Sequence, residues 1–129
     1  MKLRIKGDSL RLRLSQPETR RIGDGLAVHE TTTFPGGARL VYALEPNGQA
    51  REIGASFSDH RLVISLPTKL GLAWASGPEV SLRAVLPLHR GGELHVLIEK
   101  DFACLKPRSS FEDESELFPN PHEAHGHCR

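Results

Sequence analysis

A chain of 129 residues, 38% of them hydrophobic, is long enough to bury one core without a metal or disulfide staple, and its composition is that of a globular domain. Seventeen basic against 16 acidic residues leave a formal net charge of +1, which argues against a protein that coats nucleic acid with its whole surface. Two cysteines exclude a disulfide scaffold, no apolar run approaches the roughly 18 residues of a membrane helix, and a reducing, cytoplasmic setting is expected.

The first six residues alternate basic and apolar side chains, as do Leu10 to Leu14, with Gly7-Asp8-Ser9 between. Period-two alternation marks a strand with one buried face, so residues 1–14 predict a β-hairpin with one apolar and one basic side. A secretory leader would need an unbroken apolar run of about seven residues here, and none is present. Ser15-Gln16-Pro17-Glu18 has the form of a capping box, with proline tolerated in the first turn. The helix it opens has room for about two turns before Gly23-Asp24-Gly25. Strands are expected over 26–33 and 39–45, joined by Pro35-Gly36-Gly37, and Pro46-Asn47-Gly48 closes the unit.

The second half repeats this grammar. Ile53, Ala55 and Phe57 alternate as a strand, Ser58-Asp59-His60 turns, and Leu62 to Leu66 forms the next strand. Pro67-Thr68 opens a short helix through Trp74, ended by Ser76-Gly77-Pro78, and strands at 80–85 and 93–99 flank a turn at Arg90-Gly91-Gly92. An offset of 52 pairs Leu10 with Leu62, Leu12 with Ile64, Leu14 with Leu66, Ile22 with Trp74, Gly25 with Gly77 and Val28 with Val80. A slip to 54 then pairs Leu40 with Leu94 and Leu44 with Ile98. The expected fold is mainly β: one domain over 1–101, a small barrel from two ββαββ repeats (about 1–48 and 49–101) with pseudo-twofold symmetry and two short helices. An extended acidic, His-rich tail follows at 102–129. It holds Phe102, Phe111 and Phe118, which are expected to dock part of 102–121 on the barrel.

The segment Arg4-Ile5-Lys6-Gly7-Asp8-Ser9-Leu10-Arg11-Leu12-Arg13-Leu14 resembles the opening hairpin of AbrB/MazE-type swapped-hairpin domains, over about 1–30 and more faintly 52–82. That resemblance implies a barrel of two ββαββ units and, for many members, DNA binding by dimeric regulators or antitoxins. Asp8 stands where those domains usually carry Asn, and both units lie in one chain, so a monomer suffices to complete the fold and a homodimer is optional. Arg4-Ile5-Lys6-Gly7, Glu99-Lys100-Asp101-Phe102-Ala103-Cys104-Leu105 and Phe118-Pro119-Asn120-Pro121 resemble a family of small bacterial proteins over nearly the whole chain, a resemblance that implies no activity.

Two places carry candidate chemistry. Lys2, Arg4, Lys6, Arg11 and Arg13 share one hairpin face, where arginine forks suit phosphate or carboxylate; the competing explanation is that basic outward positions only blunt strand association. Residues 1–25 carry seven basic and three acidic side chains and residues 99–129 four and seven, so the tail itself is one candidate cover for that face. Cys104, His122, His125, His127 and Cys128 offer thiolate and imidazole ligands for zinc, and the His-rich end would suit copper or nickel equally, but the paired half-sites of a zinc finger are missing. Glycine-rich phosphate loops, nucleophile elbows and zinc-protease motifs are absent, and His95 is expected as a structural strand histidine. The leading expectation is a non-enzymatic binding protein with a protein partner and no membrane. A zinc-type metal protein and a nucleic-acid-binding regulator are the alternatives.

Overall fold

Alternation in the first fourteen residues produces the hairpin it predicts. The structure, a computed structural model, describes residues 1–102. In it β1 (Lys2–Ile5) and β2 (Ser9–Leu14) pair antiparallel, and Lys6 and Ser9 exchange backbone hydrogen bonds of 3.1 Å across the turn. α1 (Gln16–Gly23) opens on the capping box: Ser15 Oγ accepts from the Glu18 N–H at 3.4 Å, and the Glu18 carboxylate accepts from the Ser15 N–H at 2.9 Å. β3 (Val28–Thr33) and β4 (Arg39–Asn47) complete the first half. The second half is β5 (Gly54–Ser58), β6 (Arg61–Pro67), α2 (Thr68–Ser76), β7 (Ser81–Pro87) and β8 (Glu93–Lys100). Asp59 and His60 both take positive φ, the paired left-handed turn whose twist suits a two-residue hairpin. β4 runs past its expected end, with Pro46 and Asn47 opposite Leu66 and Pro67.

Each half gives one hairpin to each sheet. The sheets have the orders β1-β2-β8-β7 and β3-β4-β6-β5, and each is closed up by one parallel seam, β2 on β8 and β4 on β6. The expected barrel is not formed: among the described residues no strand of one sheet bonds to the other, and β1, β7, β3 and β5 remain edges. The sheets instead bury their inner faces in one shared core containing Leu12 and Ile98 from the first and Leu44 and Ile64 from the second. Basic side chains along β1 also oppose pairing at that edge.

Exchanging the halves maps one sheet onto the other, with register. Leu3 opposite Leu12 becomes Ala55 opposite Ile64, and the seam pair Leu12–Ile98 becomes Ile64–Leu44. Val28 opposite Leu44 becomes Leu82 opposite Ile98, so the partner of Val28 is Leu82 and not Val80. Burial agrees: Val28 and Leu82 are in the core, whereas Val80 is exposed. The two extra residues of the second half therefore lie between α2 and β7. Ile22 and Trp74 are both buried, and the helices carrying them approach so closely that a Cβ on Gly71 would lie 3.0 Å from Ile22 Cγ2. Trp74 Nε1 donates to the Val80 carbonyl at 3.1 Å, which satisfies the buried ring.

The halves diverge at the helix ends. α1 is followed by Gly25 at φ +79°, whereas Gly77 after α2 is extended and packed so that a Cβ would lie 2.7 Å from the Ala73 carbonyl oxygen. Backbone cannot yield as a side chain does, so Gly77→Ala is expected to cost about 1–3 kcal/mol in urea unfolding. Gly48→Ala, which meets only Thr68 Oγ1 at 3.9 Å, should stay within about 0.5 kcal/mol of the parent.

A second divergence is electrostatic. The Met1 ammonium is buried between the carboxylates of Glu18 and Glu30, the latter at 2.7 Å, and Tyr42 Oη donates to the Met1 carbonyl at 3.3 Å. Burial opposes the ammonium's charge, but hydrogen bonds and charge from Glu18 and then Glu30 outweigh it and raise its pKa. Burial likewise opposes ionised Glu18, and the ammonium together with the Ser15 N–H outweighs it and lowers that pKa. Burial, with Glu30 and Glu18 adding, raises the Tyr42 pKa. The raised ammonium stabilises the fold below its ordinary 8.0 and loses that contribution as pH rises through the raised value. The lowered carboxyl stabilises above its ordinary 4.5 and loses its contribution as pH falls through the lowered value. Thermal unfolding followed against pH should show both limbs outside that window, and Glu18→Gln should make both shallower.

Candidate functional site

Because outward side chains on neighbouring strands align, the sheet β1-β2-β8-β7 presents three rows on its solvent face. Lys2, Arg13, Glu99 and Ser81 form the first, and Arg4, Arg11, Leu97 and Arg83 the second. Ser9, His95 and Val85 form the third, with Lys6 opposite Ser9 at the turn. All five basic residues expected on the hairpin share this face, and the register brings Arg83 and His95 to it from the second half.

The rows differ in how their charge is met. Lys2 Nζ lies 3.1 Å from Asp101 Oδ2, and Arg13 Nε donates to Glu99 Oε1 at 2.9 Å. Arg11 Nε lies 3.1 Å from that same Glu99 oxygen, yet it is buried without an aligned hydrogen bond, because the oxygen is directed to Arg13. Glu99 is thus a largely buried carboxylate shared by two arginines. Over the other two rows opens a depression of about 490 Å³, lined on its polar side by Arg4, Lys6, Ser9, Arg11, Arg83 and His95 and on its apolar side by Val85 and Leu97. No carboxylate lines it among the described residues. Lys2 and Arg13 stand outside it, so of the five-residue cluster expected from the hairpin only Arg4, Lys6 and Arg11 line the depression, Arg11 with its Nε 3.1 Å from Glu99 Oε1.

The other sheet supplies a comparison within the same chain. By the registers above, Arg4, Lys6, Arg11 and Arg83 correspond to Ser56, Ser58, Val63 and His29 on its outward face. On it Arg61 Nη2 pairs with Glu45 Oε2 at 3.0 Å. One topology is therefore built with a neutral outer face and with a basic one, and the basic set is not a requirement of the architecture.

Arg83 was not among the expected site residues, since it is one polar position in a distant strand and only the β7–β8 and β2–β8 registers bring it to Arg11. His95, expected as a structural histidine, has its side chain 60% exposed at the depression. Cys104, His122, His125, His127 and Cys128, the expected metal ligands, lie outside the described residues, and among the described residues no three His, Cys, Asp or Glu are grouped to hold a metal ion. Nor is any described helix long and apolar enough to cross a membrane.

A model of a family of unknown function matches residues 1–122 of the chain. No curated protein and no solved structure matches it.

If Glu99 holds the two arginines in place, its loss leaves like charges facing each other. Glu99→Gln keeps the shape and removes the charge, and is expected to lower the unfolding free energy by about 1–3 kcal/mol. An unchanged urea midpoint would show that Arg11 and Arg13 do not depend on it.

Proposed function

The chain belongs to that family, DUF7009, and we propose that it is a non-enzymatic binding protein whose β1-β2-β8-β7 face receives an acidic protein partner. One observation carries this reading: cationic side chains are concentrated over an open depression on one sheet, while the corresponding positions of the other sheet are neutral. The reading includes an origin by duplication of one ββαββ unit, supported by the matching registers of the two seams. The pairing of each half's first hairpin with the other half's second supports a kinship with AbrB-type swapped-hairpin domains.

Nucleic acid is the second reading, favoured by that kinship and by the arginines. Against it, no Phe, Tyr or Trp lies on the basic face among the described residues, so the face offers phosphate contacts with only the His95 imidazole as a stacking surface. Acidic polypeptide needs only the charges and an open surface.

A labelled oligoglutamate peptide should bind at low ionic strength and weaken steeply with added salt. Lys6→Ala and Arg11→Ala should each weaken it by roughly threefold to tenfold, whereas Arg61→Ala on the other sheet should not. Absence of binding at low salt would end this reading, and tighter binding of duplex DNA than of the peptide would put the regulator in its place.

A further inference from the structure

Resting on the acidic-partner reading, we propose that the depression is a phosphomonoester subsite, taking a phosphorylated side chain of the partner polypeptide, with Arg83 deciding phosphate over carboxylate. The argument starts from where the cations stand. Arg4 and Arg11 are cross-strand partners, so two guanidinium groups rise from adjoining positions on one bank. Arg83 lies beyond Leu97 in the same row, two strands away from Arg11. Strand spacing places those two backbones about 10 Å apart, within reach of one anion held between two long side chains.

Geometry then separates the two acidic groups. A carboxylate has two coplanar oxygens and is filled by a fork from one side. A phosphoryl group has three acceptor oxygens in a tetrahedral array and about 1.5–2 negative charges at neutral pH, so it can accept from both banks at once. Arginine suits this better than lysine because its planar fork gives two parallel donors. Leu97 and Val85 supply apolar surface between the banks for the stem of the phosphorylated side chain, Lys6 extends the cationic lining, and His95 adds an imidazole. The depression has the volume of an ordinary small-ligand site, enough for one phosphorylated side chain. Its lining among the described residues includes no carboxylate, and Glu99, 3.1 Å from Arg11 Nε, already accepts from Arg13 at 2.9 Å.

Arg83 is exposed on an edge strand, so its replacement leaves the core intact. The test compares an oligoglutamate peptide, the same peptide with one central glutamate replaced by phosphoserine, and free O-phosphoserine, each by anisotropy or calorimetry. The phosphopeptide is expected to bind on the order of tenfold tighter than its parent, a gap of about 1.4 kcal/mol. Arg83→Ala should close that gap while changing the parent peptide's affinity by only about twofold, and Arg83→Lys should restore little of it. Equal affinity for the two peptides, or a gap that survives Arg83→Ala, overturns the subsite and leaves the acidic-partner reading standing. Free O-phosphoserine binding as tightly as the phosphopeptide also overturns it, since the site would then belong to a small metabolite. Failure of both peptides to bind removes the underlying reading as well.

Discussion

The parallel seam between β2 and β8 is the constraint on which the rest of the molecule depends. A two-stranded hairpin buries too little apolar surface to stand alone in water, so β1-β2 needs a second hairpin beside it. The neighbouring hairpin in sequence is not the one used. The first hairpin pairs with the last, and the two middle hairpins pair with each other, so each sheet contains strands from both halves. Leu12 and Ile98 meet across one seam, Ile64 and Leu44 across the other, and all four are fully buried. Neither half can complete a sheet, or a core, from its own strands.

Between the two halves the differences stand out more than the likenesses. The basic outer face has a neutral counterpart of serine and valine. The partly buried polar cluster of Met1, Glu18, Glu30 and Tyr42 corresponds, at the offsets of 52 and 54, to Ile53, Leu70, Ala84 and Val96. Both departures lie in the hairpins and helix of the first half or on the sheet its first hairpin helps to build. The first of them gathers basic side chains on one outer face, whereas the other outer face carries the Arg61–Glu45 ion pair beside serine and valine.

Local chemistry was legible where it is written in adjacent residues. The hairpin follows from alternating leucines and the helix start from Ser15 and Glu18. What was not legible depends on pairings between distant strands. Nothing local says whether an edge strand will meet another edge, so two sheets and a barrel look alike along the chain. Arg83 and Glu99 reach the hairpin face only through seam registers that no short window contains. The pairing of Val28 with Val80 was misplaced for a related reason. Val80 and Leu82 are both apolar and share one face of an alternating strand, and only burial distinguishes the one that enters the core.

The seam also sets an order of events at the ribosome. Residues 9–14 wait for residues 95–100 before β2 gains its second neighbour. At translation rates of about 5–20 residues per second, the separation between them corresponds to roughly 5–15 s of nascent chain. During that interval Leu10, Leu12 and Leu14 form an unshielded apolar stripe beside an open strand edge. Arg11 and Arg13, interleaved with them, act meanwhile as gatekeepers against association with other chains. Cations that line an outer face of the finished molecule thus also protect the emerging one.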